Sequence, residues 1–206
     1  MYHAKRIVSV ANHAISLVAN VKHSTNQQKF GASAINFDGT GDYLTISDNN
    51  DFHFNSDNFV IDLWVRFDNF TTSYQFLYAQ TVDINNRCEL FFDHGEQKGL
   101  SLQIINTSSV VVSCIQGNET GWIVNTWYHI AAVRSGGNFS IYRDGLQLQT
   151  TTYAGTLLDL SAEIRIGNSS IVPSAYFSGY IDEYRVSKGT DRDWTGASFD
   201  VPTTEY

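Results

Sequence analysis

Two acids stand side by side in the run "SGYIDEYRVSKGTDRDW" (178–194), Asp182 and Glu183. Adjacent carboxylates suit three tasks: general acid/base catalysis, binding of a hard cation, or anchoring of nearby backbone. Geometry speaks against the first. Neighbouring residues of a strand point to opposite faces, whereas glycoside hydrolysis needs two carboxyls flanking one bond, ~5–9 Å apart. Glu89 and Asp93 in "CELFFD" share a face, yet four residues of strand set them about 13 Å apart. His129, between aromatics in "WYHIAAVR", invites a catalytic role. No Ser or Cys stands in a nucleophile elbow, and "GGN" and "GTG" lack the strand–loop–helix setting of a phosphate cradle. The expectation is a protein that is not an enzyme.

The elements that must position these residues read as short strands. "FVIDLWVRF" places Phe59, Ile61, Leu63, Val65 and Phe67 on one face and Asp62 and Arg66 on the other, with Trp64 covering the second face. "GLSLQII", "SVVVSCI", "WYHIAAVR", "FSIYRDG" and "EIRIG" follow, too closely spaced for helices between them. "SGGN" (135–138) and the Asp144–Gly145 pair supply hairpin turns. Both prolines, Pro173 and Pro202, lie outside the strand runs. An all-β antiparallel sandwich of about a dozen strands follows. In "GYIDEYRV" the apolar parity changes between Ile181 and Tyr184, so this strand either bulges or is buried on both sides. A bulge there can turn a carboxylate inward toward an ion. Among the first thirty residues, "RIVSV" and "ISLVANV" read as strands and "KHSTNQQKFG" (22–31) as a loop.

Composition narrows the partners. Hydrophobic residues at 42% of 206 supply a sizeable core. Charged residues, at 17%, fall below the ~25% of ordinary soluble domains, and Asn, Ser, Thr and Gln carry the polarity instead. A net charge of −8 argues against nucleic acid, which requires a basic face, and disfavours anionic lipid. It suits a cation such as calcium. No stretch approaches the ~20 apolar residues of a membrane span. Lys5 and Arg6 precede an apolar stretch as in a signal peptide, but Asn12 and His13 interrupt it, so the segment is expected to stay on the chain. Cys88 and Cys114 have no metal-site spacing. They pair if their strands are neighbours, and otherwise are buried thiols.

The pieces together resemble a known family. "QKFGASAINFDGTGDYLTI", "FVIDLWVRF", "WYHIAAVRSGGNFSIYRDG" and "IRIGN" followed by "FSGYIDEYRVSKG" occur in the order found in laminin-G-like, concanavalin A-like lectin jelly rolls. The resemblance covers 27–202 and divides the chain into an N-terminal strand or arm region, 1–26, and a jelly roll, 27–206. The longer Gly-rich first strand of many relatives is missing, which implies a replaced first strand, one that could serve assembly. "SKGTDRDWTGASFDVPT" is similar to the ending of such domains in phage and other viral structural proteins, with one extra residue before Trp194. It implies a tail, 191–206, folded back through Trp194 and Phe199 and ended by Pro202.

The resemblance also assigns roles. His129 matches a core histidine of the W-x-H strand. The jelly-roll glycoside hydrolases carry an E-x-D-x-x-E run that this sequence lacks. A structural calcium ion is implied, with Asp182 as side-chain ligand and Gly39 and Asp38 in the "DGTGD" loop, since calcium takes six to eight oxygens. The alternative is that Asp182 hydrogen-bonds this loop while Asp42 caps a turn. Tyr74, Trp122 and Tyr176 stand in segments read as loops, where they either stack on sugar rings or pack over the sandwich ends. The leading expectation is a non-catalytic virion module, a capsid decoration or a tail or fibre component, oligomeric or multivalent. It would contact capsid or tail proteins and host surface glycans at the virion surface. The alternative is a stand-alone extracellular lectin or adhesion domain, and a glycoside hydrolase comes last.

Overall fold

The alternating run 59–67 forms the middle of a sheet, as its pattern demands. The computed structural model describes residues 13–206, and among them fourteen strands form. They are β1 (Ile15–Val18), β2 (Lys22–Ser24), β3 (Ala34–Asp38), β4 (Tyr43–Ile46), β5 (Phe59–Phe67), β6 (Tyr74–Asp83) and β7 (Asn86–Asp93). The second half holds β8 (Gly99–Asn106), β9 (Ser109–Ile115), β10 (Trp127–Ser135), β11 (Asn138–Arg143), β12 (Leu146–Thr152), β13 (Ile164–Ile166) and β14 (Ser178–Lys188). One sheet has the order β1-β4-β13-β6-β7-β8-β9 and the other β12-β11-β10-β5-β14-β3-β2. Every pairing is antiparallel. The result is a jelly-roll β-sandwich.

The core lies between the inner faces. Phe59, Ile61, Leu63, Val65 and Phe67 of β5 meet Leu90 and Phe92 of β7 and Leu100, Leu102 and Ile104 of β8 in one buried cluster. Each such side chain stabilises the fold by about 1.5–3 kcal/mol relative to exposure. Arg134 is buried as well: Nε donates to Gly136 O, one terminal nitrogen to Asn55 O at 2.6 Å and the other to Gly155 O at 3.0 Å. Three loops are thereby tied to one guanidinium, a role that nothing in "AAVRSGG" announces.

The hairpin turns are as expected. Ser135 pairs with Asn138 across two glycines, and Asp144 and Gly145 both take positive φ, 51° and 77°, as a tight two-residue turn requires. The N-terminal region differs in part. "ISLVANV" yields a strand only over β1, and "RIVSV" lies outside the described residues. β2 forms inside the segment read as a loop and pairs Lys22–Ser24 with Asn36–Ala34. It is a three-residue edge strand held by backbone bonds, with no apolar alternation to reveal it. β1 and β2 thus extend both sheets, one beside β4 and the other beside β3.

The cysteines do not bridge. β8 runs between the strands of Cys88 and Cys114, both are buried thiols, and burial pushes each up to about 12.

Each sheet also carries a small apolar cluster on its outer face. On the second sheet Val60, Ala131, Val133 and Tyr142 pack under Trp194 and Phe199 of the C-terminal tail. On the first, Phe76, Ala79, Phe91 and Ala175 pack with Tyr74 and Val172.

Candidate functional site

The β14 register against β5 slips between Asp182 and Arg185, and Glu183 takes φ 48°. This bulge overturns the alternation expected for the acid pair. Asp182, opposite Trp64, faces the loop around Lys29 and Phe30, and Glu183 reaches the tail on the same outer face. Asp182 Oδ2 accepts from Lys29 N (2.9 Å) and Phe30 N (3.1 Å), and Oδ1 from Glu183 N (3.0 Å). Burial pushes this carboxyl up, against the three N–H donors. Glu183 Oε2 accepts from Tyr206 N at 2.6 Å.

The expected calcium trio is not one site. Asp38 pairs with Ser178, not Asp182, and four strand residues place the two acids about 13 Å apart. Gly39 turns toward Ser178. Asp38 Oδ1 accepts from Thr40 N and Oδ2 from Asn20 Nδ2, while buried Asp42 accepts from Asn20 N (2.7 Å) and Asp38 N (2.8 Å). The turn-capping role of Asp42 therefore holds, but Asp182 anchors the 29–30 loop instead of the "DGTGD" loop. The carboxylates already serve N–H donors and do not fit a shared cation. Among the described residues no group of three His, Cys, Asp or Glu could hold a metal.

A second acid centre was missed in the sequence. Asp62, at 0% exposure, accepts from Arg185 Nε (3.0 Å) and a terminal nitrogen (2.9 Å), and from the Tyr206 hydroxyl. The Tyr206 ring lies 3.6 Å from the Arg185 guanidinium. Burial pushes Asp62 up, but bonds from His129, Arg185 and Tyr206 and the Arg185 charge hold it below the usual carboxylate range. Burial and Asp62 together push the Tyr206 phenol well up. His129 is fully buried, but on the outer face of the second sheet beneath the tail and not in the core between the sheets, with Nε2 3.2 Å from the Tyr206 hydroxyl and its ring among Trp64, Trp194 and Phe199. Its buried Nδ1 has no partner among the described residues. Trp194 and Phe199 stack at 4.2 Å, as tail anchors should, but docking continues past Pro202 to Tyr206. Just before Trp194, Arg192 and Asp193 both take positive φ.

The three aromatics read as either stacking on sugars or packing over the sandwich ends are not brought together. Trp122 is 8% exposed: its ring packs against Phe67, Phe92 and Tyr128, Arg143 lies over it, and Nε1 donates to Gln116 Oε1. A loop residue by sequence, it closes the end of the sandwich and offers no face to a ligand. Tyr74 is half-buried with its ring edge-on to Phe91. Tyr176 is half-buried beside Ala175, in the segment that covers the first sheet.

That segment is tied down by polar bonds. Buried Glu89 accepts from Ser169 Oγ (2.6 Å) and Thr81 Oγ1 (3.1 Å), with Arg87 Nε 3.0 Å away, and Asn168 Nδ2 donates to Ala175 O. Burial pushes the Glu89 carboxyl up, and the hydroxyl bonds and Arg87 oppose it.

The tail on the second sheet encloses space instead. A pocket of about 250 Å³ lies between β10–β12 and residues 194–196. Its sheet side is Val133, Ser135, Asn138, Ser140, Tyr142, Gln147 and Thr150, and its tail side Trp194, Thr195 and Gly196, so no lining side chain is charged. Ser140 Oγ donates to Thr150 Oγ1 (3.0 Å), and Gln147 Nε2 donates to Ser140 Oγ (3.1 Å) and Tyr142 Oη (3.4 Å). Tyr142 Oη donates to Gly196 O (3.1 Å). This network orients Gln147 and leaves its Oε1 as an acceptor without a partner among the described residues. Sequence reasoning passed over these residues, although "NFSIYR" and "LQLQTTT" place hydroxyls and amides on a strand face where a core strand would be apolar.

Comparison with known proteins supplies the family. A family model described as Concanavalin A-like lectin/glucanases superfamily, of laminin-G type, matches residues 38–190. Domain 4 of AbnA, a GH43 extracellular arabinanase from Geobacillus stearothermophilus solved in complex with arabinotriose, is similar over 88% of this chain and 85% of that one, at 17% identity and a TM-score of 0.64. The binding domain of Paraclostridial Mosquitocidal Protein 1 matches 89% of this chain, at 12% identity and a TM-score of 0.68. Domains LG4-5 of the mouse laminin alpha1 chain match 82%, at 14% and 0.58. This chain spans 46% of the toxin structure and 44% of the laminin one. At such identities the likeness is one of fold. No curated protein matches in sequence.

Proposed function

The chain belongs to the concanavalin A-like lectin/glucanases superfamily, and we propose that it is a carbohydrate-binding module of that family, without catalysis, acting at an extracellular or particle surface. The observation that carries this reading is the pocket beneath the tail, with hydroxyl and amide side chains between two aromatic ones, Tyr142 and Trp194, and no charge. Sugar hydroxyls are recognised by such groups, and a few convergent polar atoms fix a ligand's orientation. The buried carboxylates are otherwise engaged: Asp182 with loop N–H groups, Asp62 with Arg185, and Glu89 with two hydroxyls. The arabinotriose complex of AbnA domain 4 supports the reading by analogy of fold.

The test is binding of the purified protein to a broad glycan panel, with calcium and after chelation. Saturable binding is expected, weakened by Gln147→Ala with the fold intact. A flat response across the panel under both conditions would remove the proposal.

The C-terminal segment favours a second reading of the same module. Its resemblance to viral structural proteins, with Trp194 and Phe199 packed on the sandwich, supports placement on a capsid, tail or fibre through protein contacts. Particle components usually occupy symmetric positions, so light scattering should find a symmetric oligomer. A monomer at every concentration would count against it.

A further inference from the structure

The tail does more than border the pocket. Gln147 N donates to Ala197 O at 3.0 Å, and Leu146 bridges Ser198, so the strand that presents the Gln147 side chain is held by the tail. Phe199 N donates to Gly145 O at 2.9 Å. The tail passes so close there that a Cβ on Gly145 would fall well inside contact distance of the Phe199 carbonyl oxygen. Beyond the pocket, Tyr206 locks the chain end onto Asp62 and Arg185.

Size and charge define what fits. At about 250 Å³, the pocket is smaller than the roughly 300–1,000 Å³ that holds a drug-sized molecule, which suits one sugar ring and not an extended chain. The open polar atoms are neutral: Gln147 Oε1, the Asn138 amide and the Thr195 hydroxyl have no partner among the described residues. They offer an acceptor, a donor–acceptor pair and a hydroxyl, a match for ring hydroxyls that both give and accept protons. An acid bonded to the lining, Asp191, accepts from Ser135 Oγ at 2.7 Å and from Asn58 Nδ2 at 3.0 Å. Its negative charge behind Ser135, with no cation in the lining, opposes an anionic ligand.

Resting on the carbohydrate reading above, we infer that this pocket takes a single uncharged terminal sugar ring and exists as a binding site only while residues 194–206 are docked. Binding and docking are then linked: the sugar holds the tail down, and release of the tail abolishes the site.

The experiment uses the full chain and an array of hexose-, pentose- and N-acetylhexosamine-terminated oligosaccharides, beside the same structures capped with sialic acid. Affinities for the best neutral probe are then measured for the wild type, Gly145→Ala and Phe199→Ala. Limited proteolysis reports tail release, and far-UV circular dichroism reports the sandwich. The expected result is at least a tenfold preference for uncapped sugars, and a loss of affinity that follows tail cleavage across the variants. Saturating sugar should also slow cleavage of the wild-type tail. Sialylated probes binding as well as neutral ones, or full affinity in protein whose tail has been cleaved, would overturn the inference and leave the carbohydrate reading standing. Absence of binding to every probe would remove both.

Discussion

The two sheets solve the same problem in different ways. Each has an apolar cluster on its outer face, and each cluster is covered by a segment without regular structure. Over the first sheet, residues 168–176 are pinned through Glu89, Ser169, Thr81 and Asn168, and Ala175 of this segment packs directly on Phe76, Ala79 and Phe91 beneath it. Over the second, the tail is pinned at its far end by Asp62, Arg185 and Tyr206 and in the middle by Trp194 and Phe199. Between Trp194 and the edge of the sheet it leaves a pocket lined with neutral polar groups. A buried polar bond placed under the cover closes it, whereas bonds placed beyond the cover leave room for a ligand.

The sharpest way to break the contrast is to unlock the tail. Asp62→Ala leaves Arg185 beside a cavity without its carboxylate, and loss of one partner of a buried pair costs about 3–5 kcal/mol. Urea unfolding should show that loss, and proteolysis should show the tail cut first. On the other sheet, Phe76→Ala removes a side chain 2% exposed from the filled cover, at a cost of about 3 kcal/mol, and should leave glycan affinity unchanged. A fall in glycan affinity would move the binding surface to the first sheet.

Gly145→Ala is a milder test of the tail. A non-glycine residue in the left-handed region costs about 1–2 kcal/mol, and the Cβ also pushes at Phe199. Amide exchange should rise at Leu146 and Gln147 and not in β6 or β7.

The smallest expected effect is in pH dependence, where the two covers have opposite signs. The Asp62 carboxyl is held below its ordinary value, so its contribution is full above the unfolded value near ~4 and is lost as pH falls through the folded one. The Glu89 carboxyl is raised, so its contribution is full below ~4.3 and declines as pH rises through the folded value. Urea midpoints measured from pH 3 to 7 should therefore lose the high-pH decline in Glu89→Gln. The same decline in that variant would show that burial of Glu89 is not its cause.

Much of the fold was legible because periodicity and turn chemistry are local. The alternation of Phe59–Phe67, the Asp144–Gly145 turn and the parity break after Ile181 each mark their own structure. β2 was not legible, because three polar residues at an edge are held by pairing with a distant strand. The bulge at Glu183 was visible as a break in parity, but the face its carboxylates choose depends on which loops arrive there. Trp122 was left between two readings for a related reason: a Gly-flanked Trp outside a strand run does not itself show whether the end of the sandwich closes over it. Gln147, Thr150 and Ser140 were overlooked since each is an ordinary strand residue by itself. Only the register of β11 with β12, and the tail above them, assembles a site.

The central claim, that the neutral pocket under the tail is where a sugar binds, is tested most directly by nuclear magnetic resonance. The chain has four tryptophans, hence four indole N–H signals. Titration with the best neutral oligosaccharide should move the Trp194 signal saturably and leave those of Trp64 and Trp122 in place. A saturable shift confined to residues of the first sheet, with Trp194 unmoved, would contradict the account.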